Sequence, residues 1–107
     1  MRVSEAISEF QKLAAQSGFA ASYDPSPNDF GSSVTRVCRS EAELRLVWDG
    51  RDKYLSVQVT HGPLEIEAAG WLELWGAQCA AEAFNEKANE NVTFKSAIEY
   101  GIELMGT

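Results

Sequence analysis

Apolar positions along the chain alternate between two periods. Val3, Ala6, Ile7, Phe10, Leu13, Ala14 and Ser17 recur at helical spacing, with Ser4, Glu5, Ser8, Glu9, Gln11, Lys12 and Gln16 between them. That stripe predicts an amphipathic helix. Glu5 and Glu9 near its start and Lys12 near its end suit the helix dipole, and Gly18 stands where a left-handed C-terminal residue is expected. From Leu44 to Thr60 the period becomes two. Leu44, Leu46 and Trp48 alternate with Arg45, Val47 and Asp49, and after Gly50-Arg51-Asp52-Lys53 the residues Leu55, Val57 and Val59 alternate with Tyr54, Ser56, Gln58 and Thr60. Two such runs around a glycine-containing break predict a β-hairpin with one apolar face.

The flanking segments extend this sheet. Phe19, Ala21 and Tyr23 predict a short strand. Asp24 to Ser33, with two prolines and a glycine, reads as a surface loop in which Phe30 either anchors to the core, the commoner outcome, or is presented to a partner. Val34 to Arg39 alternates without a clear apolar face, as an edge strand or a strand partly covered on both faces would. His61-Gly62-Pro63 ends the last strand of the meander, and Leu64 to Ala69 is a further short strand or a loop. Leu72, Trp75, Gly76, Cys79, Ala80, Ala83, Phe84 and Ala88 follow helical spacing, although Trp71 to Trp75 also alternates as a strand would. Phe94, Ala97, Ile98, Gly101, Ile102 and Met105 predict a last helix, with Thr93 or Asn91 as its N-cap. The expected fold is therefore one α+β domain over residues 1–107: an N-terminal helix, an antiparallel three- to four-stranded meander, and two C-terminal helices packed on one face of the sheet.

Composition narrows the function classes. A content of 45% apolar residues supports a real core, and no apolar run approaches the roughly 18 residues of a membrane helix. The acidic, amphipathic start carries no secretory pattern, which implies a cytoplasmic chain with no membrane partner. Cys38 and Cys79 are expected as two buried thiols, a single bridge between strand and helix being the alternative. The net charge of −7 is uneven, because residues 64–107 set eight acids against only Lys87 and Lys95. Phosphates would be repelled by such a surface, which excludes nucleic acid, whereas a basic protein would be attracted.

Candidate chemistry is sparse. His61, the one histidine, precedes Gly-Pro with no nucleophile motif nearby. One histidine and two isolated cysteines do not make a zinc set, and Asp49 and Asp52 around Gly50 read as turn chemistry rather than a calcium loop. Asn28 to Ser33 leads into a strand and so is no phosphate loop. Glu65 with Glu67, or Glu82 with Glu86, reads as solvated charge rather than a glycosidase pair. No catalytic group, metal or cofactor is expected. The enzyme alternative requires a pocket near Trp48, Trp71 or Trp75 that gathers His61 with Asp49 or Glu73.

The LRLVWDGRDKYLSVQ hairpin, followed by GWLELW and a C-terminal helix in a short acidic chain, resembles the small immunity proteins encoded beside bacterial toxins. That resemblance implies a non-catalytic inhibitor whose acidic surface covers a basic toxin. Under it Glu73, Glu82, Glu86, Glu90, Glu99 and Glu103 form the electrostatic face, with Phe30 as a further contact, in a monomer or homodimer. The early helix followed by three strands is also similar to small acidic secretion chaperones of the type III kind, from which two consecutive C-terminal helices would be a departure.

Overall fold

The computed structural model describes residues 1–26, 28–39, 42–60, 71–85 and 92–106. Helix α1 (Val3–Gln16) is followed by strands β1 (Ser22–Ser26), β2 (Ser32–Arg39), β3 (Ala42–Asp49), β4 (Tyr54–Thr60) and β5 (Leu72–Gln78), then helix α2 (Phe94–Gly106). The strands form one antiparallel sheet in sequence order, and both helices cover the same face of it. The expected α+β class stands, with five strands rather than three or four and one C-terminal helix rather than two among the described residues.

The hairpin β3–β4 forms the centre of the sheet. Leu44 pairs with Val59, Leu46 with Val57 and Trp48 with Leu55, so the apolar side chains of both strands land on the helix face, where all six are buried. Against them pack Phe10, Leu13 and Ala14 of α1 and Phe94, Ala97, Ile98 and Met105 of α2. Full burial of each Leu, Ile or Phe contributes about 1.5–3 kcal/mol. Helix α1 ends as its glycine requires. Gly18 takes φ +86°, its N–H donates to Ala15 O and the Phe19 N–H donates to Ala14 O, a Schellman closure. At the start of α2, the Ser96 N–H donates to Thr93 Oγ1 and the Thr93 N–H returns to Ser96 Oγ, a reciprocal cap.

Three departures have physical causes. Residues 72–78, expected to open a helix, are the edge strand β5. Trp75 pairs with Val57 and Ala77 with Leu55, and Leu74 is the extra residue of a bulge in that register. Helical spacing and alternation coexist in WLELW, and cross-strand pairing decides between them. The small residue Gly76 serves Tyr54 rather than a close helix approach, for a Cβ there would sit 2.0 Å from the Tyr54 hydroxyl. The remainder of the expected helix beyond Asn85 lies outside the described residues, as do His61 and the Leu64 to Ala69 segment.

Residues Asp24-Pro25-Ser26, read as loop, belong to β1. Proline is tolerated there because β1 is an edge strand with a free side. Its presence makes β2 an interior strand, and Thr35 and Val37 of β2 are buried beneath the helices. Finally, the cysteines, expected as two buried thiols, are free and unlike: Cys79 is buried, whereas Cys38 is exposed because it stands on the open face near the end of β2, opposite Glu43.

Beyond β5, Ala80 and Ala83 exchange backbone hydrogen bonds around Ala81-Glu82, both at positive φ, in a two-residue type I′ turn. The returning segment pairs with the chain start. The Val3 N–H donates to Glu82 O, and the Phe84 N–H donates to Met1 O. This gives α1 an acceptor for one of its first-turn donors. Phe84 then meets Trp75 and Phe94 edge-on, with ring centroids 5.2–5.6 Å apart.

Candidate functional site

The acidic residues singled out from sequence fall in separate places. Glu73 lies on the open face of the sheet, where its Oε2 accepts the Tyr54 hydroxyl at 2.8 Å. Burial, with the hydrogen bond and charge of Glu73 adding to it, pushes the Tyr54 phenol up to about 12. Glu82 sits in the turn against the N-terminus of α1. Glu99 and Glu103 are exposed one turn apart on the outer side of α2, with Lys95 one turn before them. Glu86 and Glu90 lie outside the described residues. Glu73 is thus divided from Glu99 and Glu103 by the sheet itself.

The open face carries its own polar belt. Arg36 of β2 stands directly opposite Arg45 of β3, a like-charge pairing that costs stability unless relieved. Relief comes in opposite directions. Arg36 lies 3.8 Å from the Asp24 carboxylate, while Arg45 donates from Nε to Gln58 Oε1 at 2.9 Å and stacks 3.4 Å from the Trp71 ring centroid. Partial burial lowers the Arg45 pKa, with Arg36 pulling the same way and Glu43 opposing. The three tryptophans do not line one pocket: Trp48 and Trp75 are buried in the core, and Trp71 covers Arg45 on the other face.

The end of the sheet carrying the β1–β2 and β3–β4 turns is different. Phe30 is not anchored in the core, the commoner of its two expected outcomes; it is 64% exposed and takes φ +58°. Its backbone is clamped to the neighbouring turn, since Gly50 is buried beneath the Phe30 carbonyl and donates its N–H to Ser32 Oγ at 2.9 Å. Asp49 Oδ1 accepts from the N–H groups of Arg51 and Asp52, which closes the second turn. A cleft of about 570 Å³ on one side is lined by Ser26, Asp29, Ser32, Asp49, Arg51 and Asp52 among others. A second cleft of about 220 Å³ is floored by Val3, Ile7, Tyr23 and Trp48 and edged by Gly31 and Glu82. Two of the residues named from sequence, Phe30 and Glu82, therefore border this end. Nothing in the sequence marks Ala81-Glu82 as a left-handed turn, because neither residue is Gly or Asn.

Nucleophile chemistry has little support among the described side chains. Burial, then the hydrogen bond to Glu43, pushes the Cys38 thiol up, and burial does the same to Cys79, so neither is poised as a thiolate. Among the described residues no cluster of His, Cys, Asp or Glu has the geometry to hold a metal ion, and no helix is long and apolar enough to cross a membrane. The chain matches no family model, no curated protein and no solved structure.

Proposed function

We propose that this chain is a non-catalytic protein-binding module, an immunity-type inhibitor of a partner toxin or effector that presents a basic surface. One observation carries the reading: Tyr23, Phe30, Leu72 and Tyr100 remain 48–64% exposed on a scaffold of net charge −7. Aromatic side chains on an otherwise acidic surface are the composition of a docking site, where a few rings supply affinity and charge supplies encounter rate. The test is capture on the tagged chain at low and high salt, followed by co-expression. The expected result is one stoichiometric basic protein, released as salt rises, whose toxicity the chain suppresses. A chain that yields no salt-sensitive partner, or fails to suppress the toxicity of the one it yields, is not an immunity-type inhibitor.

A secretion chaperone is the second reading, and β5 favours it. The chain continues into a further strand where two consecutive helices would have departed from that family. A solution mass separates the two, because the chaperone reading requires a dimer and a strict monomer excludes it.

A further inference from the structure

Asp49-Gly50 is the one place in the chain where aspartate or asparagine precedes glycine. Such a pair carries its own chemistry, because a glycine nitrogen has no side chain beside it to hinder attack on the aspartyl Cγ. The N–Cγ bond forms, the Cγ–O bond breaks, and the amide proton leaves with the hydroxyl as one water, closing a five-membered imide. Water then reopens the ring at either carbonyl. Opening at Cγ restores aspartate. Opening at the Asp49 backbone carbonyl leaves the chain running through Cγ, an isoaspartyl link with one extra methylene. In this fold three contacts oppose the first step. Asp49 ends β3 paired with Tyr54, so its backbone is fixed in the sheet. Its Oδ1 accepts from the N–H groups of Arg51 and Asp52 at 3.0 and 3.1 Å, which commits the carboxylate to residues beyond Gly50. The Gly50 N–H, whose proton must leave, donates instead to Ser32 Oγ at 2.9 Å, and Gly50 lies buried beneath the Phe30 carbonyl.

We propose that Asp49-Gly50 is a self-modification site of this chain, held unreacted in the fold by the Ser32 hydroxyl and released to react when the two turns part. No partner, cofactor or enzyme takes part, so the step is independent of the protein-binding reading. Ser32 and Phe30 reach Gly50 from a different hairpin, and parting of the turns needs no loss of the helix-covered core. The fold does not recover from the change. A Cβ on Gly50 would already stand 2.0 Å from the Phe30 carbonyl oxygen, so a lengthened backbone has no room there. An isoaspartyl chain rebuilds its sheet without the contact between the turns. The link therefore accumulates with the time the turns have spent apart, a chemical record of opening.

The test incubates the purified full chain at neutral pH, folded and in urea. Peptide mass spectrometry locates isoaspartate, and labelling by an isoaspartyl methyltransferase measures its amount. In urea Asp49 is expected to react ahead of every other aspartate, and in the fold far more slowly. Folded Ser32→Ala reacts about fivefold faster than the folded wild type, the weight of one hydrogen bond. Ser32→Thr, which keeps a hydroxyl, stays at the wild-type rate. Ile98→Val removes a methylene from the core beneath α2 and lowers the urea midpoint, yet leaves the rate at Asp49 unchanged, because the turns part locally. Equal rates in urea and in the fold, or first reaction at another aspartate, overturn the site. A Ser32→Ala rate equal to wild type, or equal acceleration by Ile98→Val, overturns the role of Ser32. If Ser32→Ala does not fold, hydrogen exchange of the Gly50 amide in the wild type decides: slow exchange supports the protection, and exchange as fast as in the unfolded chain overturns it.

Discussion

Replacing Gly50 with alanine sets a methyl group against backbone rather than against a movable side chain. Gly50 has an ordinary φ, so the cost is one of space. A Cβ would stand 2.0 Å from the Phe30 carbonyl oxygen, 2.8 Å from its carbon and 3.2 Å from the Ser32 nitrogen. Ordinary contact is reached only if the two turns separate by more than an ångström, which breaks the 2.9 Å bond from the Gly50 N–H to Ser32 Oγ. Overpacking of this kind costs about 1–3 kcal/mol, and the lost hydrogen bond about 1 kcal/mol more. Reduced freedom of the unfolded chain returns about 0.4–1 kcal/mol. Gly50→Ala should therefore destabilise by about 1–3.5 kcal/mol, a sizeable share of the 5–15 kcal/mol typical of small domains. Urea unfolding reads this as a lowered midpoint at unchanged slope. The control is the double variant with Phe30→Ala, which should be no more stable than Gly50→Ala with Phe30→Ala's own small effect added, because the obstruction is a peptide oxygen. A Gly50→Ala loss under about 0.5 kcal/mol, the ordinary scatter of surface substitutions, would refute the account, and so would rescue by Phe30→Ala.

Further expectations concern single groups. Ala81→Asn combined with Glu82→Gly gives the I′ turn its preferred residues and should raise stability by about 1–2 kcal/mol; a lowered urea midpoint would contradict the left-handed assignment. Thr35→Val removes a buried hydroxyl without a described partner and should stabilise by about 1 kcal/mol, so a loss of stability on thermal unfolding would show that the hydroxyl is bonded. Tyr54 titrates near 10 when unfolded and at about 12 in the fold. The folded state holds this proton more tightly, so its stabilising contribution is complete below pH 10 and is lost as pH rises through 12. The urea midpoint of the wild type should fall more steeply across that window than that of Tyr54→Phe; parallel curves would remove the Tyr54–Glu73 bond from the account.

Legibility from sequence followed how local the determining interaction is. The Leu44–Thr60 hairpin and both described helices were readable because a single period runs through each, and their caps at Gly18 and Thr93 lie within a few residues of what they close. β5 was ambiguous because Leu72, Trp75, Gly76 and Cys79 satisfy a helix as well as WLELW satisfies a strand. Only pairing with Val57 and Leu55, contributed from another part of the chain, settles it. Pro25 concealed β1 for a similar reason, since proline is compatible with a strand once that strand is known to lie at an edge. For the candidate site, the sequence identified the acids and Phe30 but not their grouping. Helical continuity from residue 72 would have aligned Glu73 with later acids; a sheet strand sends it to the face opposite α2. The approach of Phe30 to Gly50 and of Gly31 to the cleft it shares with Glu82 depends on three separate turns, and no local pattern encodes it.

The pairing of the chain start with the segment after β5 has a bearing on the order of assembly. Met1 and Phe84 bond across a separation of 83 residues, whereas each strand of the meander pairs with its immediate neighbour in sequence. Closing a long loop loses more chain entropy than closing a short one, and non-local contacts delay folding. During synthesis β1 to β4 can zip up behind one another while α1, though already made, has no place to fasten its first turn. That fastening waits for Glu82 and Phe84, the same turn that edges the cleft. The first turn of α1 is thus fastened only after all five strands have been made, with α2 still to follow.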